Sequence, residues 1–265
     1  MLCSVEPDRR PGSRGNSQAT EYVRAALEGS GWSATLQEFD CLDWSAEGGS
    51  LAAGDFTVEL TPSPYCLGAD VEGPLRVLHA ADDLARDDLG GAVLLLTGDL
   101  AKEPLTPKRY PFYGSDDHAR IVAALESAEP AAVIAVTGKH PALCGALDPF
   151  PLIEDGDFTV PTANVGPEDA GELLELDGAP VEVDIHAERR PSRAANVVAE
   201  RGPRSPRVTV MAHIDSKPGT PGAVDNAAGV VVLMLLADLL APEPQAELPI
   251  GVELLAVNGE DHYAA

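Results

Sequence analysis

The chain has 265 residues, of which 45% are hydrophobic, and its 18 basic against 43 acidic side chains give a formal net charge of −25. That length and apolar content can bury a full core in one large domain or two ordinary ones, so global disorder is excluded; 25 glycines and 23 prolines without a fixed period exclude collagen-like and linker-like chains. Nucleic acid and anionic membrane surfaces are excluded as partners, because both call for a basic face.

Only Lys102, Lys108, Lys139 and Lys217 are lysines, a pattern shared by salt-adapted surfaces and by surfaces that are simply very soluble. The first ten residues hold no apolar stretch of a secretory signal, and no window approaches about eighteen unbroken apolar residues. A soluble, cytoplasmic chain is therefore expected. Cys3, Cys41, Cys66 and Cys144 lie far apart with no C-x-x-C pair, which predicts free thiols rather than a disulfide scaffold or zinc ribbon.

In chain order, a first block ends near residue 45. Gly12 to Ser17 forms a turn, and Ala19, Tyr22, Val23, Ala26 and Leu27 then fall at helical spacing, closed by Gly29 and Gly31. An extended piece over 34–39 follows. Residues 46–190 form a separate, β-rich module with two helices: 91–96 and 131–136 read as buried strands, Ile121, Val122 and Leu125 mark a helix, and Val181, Val183 and Ile185 alternate with polar residues. The pairs Asp82-Asp83, Asp87-Asp88 and Asp116-Asp117 read as solvated loop surface, since no calcium-loop spacing accompanies them. The third block, 191–265, has apolar strands at 195–199 and 207–212, an apolar helix over 227–240 and a strand over 250–257. Strand, helix and strand joined by a crossover predict parallel pairing, hence an α/β fold with a mostly parallel central sheet.

In such sheets ligands bind beyond the carboxyl ends of the strands. Those positions carry His213-Ile214-Asp215-Ser216, Gly222-Ala223-Val224-Asp225-Asn226 and Asn258-Gly259-Glu260-Asp261. Taken singly, Asp225 is a helix cap, Asp215 a turn former and Glu260-Asp261 a wet strand end. Together they place one imidazole and four carboxylates at one sheet edge, where the carboxylates repel unless a cation or shared protons neutralise them. Imidazole with carboxylates suits a divalent metal of the zinc type, so a metal hydrolase site is expected. His79, His118, His140 and His186 read as surface or packing residues, and His262 and Tyr263 as support for the acidic pair.

These residues resemble, motif by motif, the zinc-dependent exopeptidases of metallopeptidase family twenty-eight, which includes bacterial leucyl aminopeptidase, aminopeptidase Y and glutamate carboxypeptidase. The family pattern is H-x-D-[ST], then G-A-x-D-N-x-[AS]-G, then a strand ending in Glu-Glu or Glu-Asp. The chain supplies His213-Ile-Asp215-Ser216, Gly222-Ala-Val-Asp225-Asn226-Ala-Ala-Gly229 and Glu260-Asp261, with Arg10-Pro11-Gly12-Ser13 and Asn196 to Ala199 also similar to the family. The resemblance implies a phosphorylase/hydrolase-like exopeptidase domain over 1–45 and 191–265, interrupted by a protease-associated-like domain over 46–190. It implies two zinc ions: His213 binds one, Asp261 the other, and Asp225 bridges them. Glu260 is then the general base for a zinc-activated water, Asp215 holds the imidazole N–H, and the substrate is a peptide or small amide. The family also uses a later carboxylate and a later histidine as ligands, neither within these 265 residues. An underfilled metal site, uncovered apolar surface and homo-oligomerisation are expected consequences. The alternative is a non-catalytic binding or scaffold member of the same fold, against which the intact Glu260 argues.

Overall fold

A computed structural model describes residues 1–108, 114–137, 158–241 and 249–261. In chain order its main elements are α1 (Arg14–Gly29), β1 (Ser33–Ala53), β2 (Phe56–Pro62), β3 (Ala69–Leu78), β4 (Val93–Leu96), α2 (Asp116–Ser127), β5 (Ala132–Val136), β6 (Thr162–Val165), α3 (Pro167–Leu174), β7 (Pro180–Arg201), β8 (Arg207–His213), α4 (Ala228–Leu239) and β9 (Gly251–Val257). The chain divides into two compact units, one formed by 1–43 with 191–263 and the other by 44–190; β1 and β7 each contribute one end to each unit. No helix among the described residues is long and apolar enough to cross a membrane.

In the unit over 44–190, β3, β4, β5 and β6 form a parallel ladder, with β7 antiparallel on β3 and β2 antiparallel on β6. Every residue of β4 is buried, as a strand covered on both faces requires, and Leu94, Leu96, Val133 and Ala135 pack with Val122 and Leu125 of α2. The acidic pairs here do structural work. Asp116 and Asp117 fill the first turn of α2, where they oppose the positive helix end, and the Ser115 side chain accepts the His118 N–H at 3.3 Å. Asp83 accepts the N–H groups of His79 at 2.7 Å and Ala80 at 3.0 Å at the start of a single helical turn over Ala81–Ala85. His118 accepts the Thr106 N–H on Nδ1 at 3.0 Å, a packing role. His140, Cys144, His262 and Tyr263 lie outside the described residues.

In the other unit, α1 starts where the Ser13 hydroxyl accepts the Asn16 N–H at 3.0 Å. Ala19, Val23 and Leu27 face the core, as their spacing predicts, whereas Tyr22 is exposed. They meet Val197 and Ala199 of β7, Val252, Leu254 and Ala256 of β9, and Val230, Leu233 and Ala237 of α4; the Trp32 indole donates to the Ala237 carbonyl at 3.0 Å.

The expectation of a mostly parallel sheet needs correction in this unit. β8 and β9 are parallel, joined through α4, but β9 is antiparallel to β7. The cause is connection length: only residues 202–206 separate β7 from β8, too few for a crossover, so the chain must reverse. β9 then inserts between the two, parallel to one and antiparallel to the other. Strand β8 keeps Val208 and Met211 exposed, and α4, apolar on nearly all sides, buries only one stripe and leaves Val231, Val232, Leu235 and Leu239 in solvent.

Candidate metal centre

Parallel pairing brings the carboxyl ends of β8 and β9 to one edge, with His213 opposite Val257 and the Ile214 N–H donating to the Val257 carbonyl at 2.7 Å. The segments 213–216 and 258–261 therefore leave the sheet side by side. His213, Asp215 and Asp261 are buried, while Glu260 is exposed at the rim.

The imidazole of His213 has acceptors on both sides. Nδ1 lies 3.1 Å from the main-chain carbonyl of Asp215 and 3.6 Å from its carboxylate. Nε2 lies 3.0 Å from Asp225 Oδ1 and 3.7 Å from Glu260 Oε2. Nδ1 facing a carbonyl must hold a hydrogen, so Nε2 can face carboxylates only if a proton or a cation lies between them. Burial by itself would lower the His213 pKa, but the carboxylate of Asp215, then those of Asp261 and Glu260, more than offset this and raise it to about 9.

The main chain of Asp215, rather than its carboxylate, is at hydrogen-bond distance from the ring; its carboxylate Oδ2 accepts the Asp261 N–H at 2.9 Å and so ties the two loops together. Asp225 is not the helix cap: Asn226 Oδ1 accepts the Gly229 N–H at 3.0 Å, and the Asp225 side chain is 80% exposed apart from its contact with His213. Gly222 shows why the motif needs a glycine there. Its φ is +52°, and a Cβ would stand 2.4 Å from Arg9 Nη2 and 2.6 Å from Ser216 Cβ.

The donor atoms of His213, Glu260 and Asp261 all lie within 4.8 Å of one another, and Asp225 joins them through Nε2. One imidazole with several carboxylates, converging from the ends of two parallel strands and the start of a helix, is the donor set of a zinc-type ion. The residues present fit such an ion.

Some residues that shape the site carry no motif. Asn258, just before Gly259, is held from several sides: Asn16 Nδ2 donates to its Oδ1 at 2.6 Å, its Nδ2 donates to the Ala195 carbonyl at 2.6 Å and Thr20 Oγ1 at 3.1 Å, and its N–H donates to Asn196 Oδ1 at 2.8 Å. Arg9 reaches the other two loops. Nothing in the spacing of Arg9 or Asn16 marks them, and the position of Asn258 after the last strand does not reveal its positioning contacts, since the partners are up to 242 residues away.

Residues 196–264 match the model of Peptidase family M28, and this part of the chain is a peptidase M28 domain. Over 272 residues the chain is 28% identical to the probable lipoprotein aminopeptidase LpqL of Mycobacterium tuberculosis (strain ATCC 25618 / H37Rv), covering 96% of this chain and 50% of that protein. Among solved structures, the aminopeptidase from Aneurinibacillus sp. strain AM-1 superimposes with a TM-score of 0.70 at 20% identity, over 98% of this chain and 60% of that one. BSAP, a zinc aminopeptidase from Bacillus subtilis, gives 0.65 at 18% identity over 95% and 57%. The chain thus spans half the length of its curated relative, and the two structures show the shared fold.

Proposed function

We propose that the chain carries part of the active site of a zinc-dependent aminopeptidase-like hydrolase that cleaves peptide or small amide bonds. The observation that carries this is the arrangement around His213, whose Nε2 faces the carboxylates of Asp225 and Glu260 while Glu260 and Asp261 complete a tight donor cluster. His213, Asp225 and Asp261 would hold the metal, two ions being the number that the family resemblance implies. Bound zinc would polarise the scissile carbonyl and acidify water. Glu260, at the exposed rim, would take the proton of the attacking water on its carboxylate and return it to the leaving amine. Asp215 would keep the ring oriented through its carbonyl and hold the Asp261 loop through its carboxylate. Residues 44–190, inserted between the two segments of the other unit, support a protease-associated-like role for that unit.

The test pairs two variants made in the longest natural form of the protein, with zinc content and aminoacyl-anilide hydrolysis measured on each. Glu260→Gln should lower kcat about a hundredfold or more and leave zinc bound, because a base is not a ligand. Asp225→Asn should lose zinc as well as turnover. Equal zinc loss in both would refute the assigned roles.

A further inference from the structure

Arg9 is only 1% exposed, and a buried charge is tolerated only where its hydrogen-bonding groups are met. Among the described residues its partners are all main-chain carbonyls. Nε donates to Ile214 at 2.6 Å, Nη1 to Leu2 at 2.9 Å and Pro221 at 2.6 Å, and Nη2 to Gly222 at 2.9 Å. Ile214 lies between His213 and Asp215; Gly222 lies three residues before Asp225. One planar guanidinium therefore spans the two loops whose side chains meet at His213 Nε2 and Asp225 Oδ1, 3.0 Å apart.

We propose that Arg9 is a positioning residue of the metal centre, its rigid fork setting the distance between the loop over 213–216 and the loop over 221–226. Three features converge on this. The donors of the fork are directed at loop carbonyls rather than at a carboxylate, so the group serves geometry and not ion pairing. Gly222 has no side chain where a Cβ would strike the guanidinium, so loop and arginine fit only as a pair. The Arg9 carbonyl accepts from Asn16 Nδ2 at 2.9 Å, and Asn16 also donates to Asn258, which links the same segment to the third loop of the site. A lysine could keep the charge but not the fork, since its ammonium is a point donor at the end of a flexible stem.

The functional meaning of this role rests on the proposed metal centre, but the positioning can be measured without metal. Arg9→Lys and Arg9→Ala are compared with the wild-type 265-residue chain by hydrogen exchange in zinc-free buffer and by zinc titration against a chromophoric chelator. Both variants should exchange amides 214–227 about tenfold or more faster while the β8–β9 ladder keeps its protection. Zinc affinity should fall about 10- to 100-fold, the range for groups that orient ligands. Millimolar guanidinium, but not sodium at equal ionic strength, should restore both properties to Arg9→Ala. Wild-type protection of 214–227 in both variants, or a loss spread equally over β8 and β9, would overturn the proposal. Failure of the wild-type chain to take up zinc would sink the metal-centre assignment instead, and the exchange data alone would still decide the role of Arg9.

Discussion

The Gly222 site shows how one missing side chain sets the loop before Asp225. A methyl group there would meet Arg9 and Ser216 well inside contact distance, on a backbone with φ of +52°. Gly222→Ala should therefore cost about 1–3 kcal/mol, read as a lower midpoint in urea unfolding; an unchanged midpoint would mean the loop rearranges freely. Asp83 offers a pH-dependent counterpart. The N–H groups of His79 and then Ala80 hold its carboxyl below the usual range, so its stabilisation is present above the unfolded pKa of about 4 and fades as pH falls through the lower folded value. Asp83→Asn should then melt below the wild type at neutral pH, with the gap narrowing as the solution is acidified; a gap that stays constant or widens in acid would contradict this. At this scale the residues gathered at the strand ends were legible in the sequence because motif spacing reflects strand ends: Asp225 and Glu260 both approach His213 Nε2, and the donor atoms of His213, Glu260 and Asp261 lie within 4.8 Å of one another. Arg9 and Asn16 were not, and Asn258 was legible only as a strand-end position, because a polar residue becomes buried through tertiary contacts that no local pattern records. Asp215 was legible as a partner of the ring, but only the structure shows that its carbonyl makes the close contact and its carboxylate faces Asp261.

At the level of elements, α4 carries the clearest test. Leu233 is buried on its inward stripe, and Leu233→Ala should destabilise by about 2–5 kcal/mol in urea melts. Leu235 and Leu239 face solvent, 61% and 80% exposed, so Leu235→Lys with Leu239→Lys should change stability by no more than about 0.5 kcal/mol each. The same pair should reduce self-association in sedimentation velocity, since together with Val231 and Val232 they form an apolar row. A large loss of stability in the double variant would show that this row is covered in solution. The β8–α4–β9 crossover could be read from two apolar runs separated by a helical one. The antiparallel β7–β9 pairing could not, because the short turn over 202–206 fixes direction but says nothing of which strand inserts where.

For the whole molecule, a net charge of −25 makes the compact state repel itself, and added salt screens that repulsion. The thermal midpoint should rise from low to molar sodium chloride, and a flat or falling midpoint would contradict a stability limited by charge. The central claim is narrower: the edge where β8 and β9 end is a metal centre built on His213. Zinc titration of the wild-type chain and of His213→Ala, followed by calorimetry, tests it most directly. Saturable binding in the wild type that disappears in the variant is the predicted result, and equal zinc uptake by the two chains would contradict it.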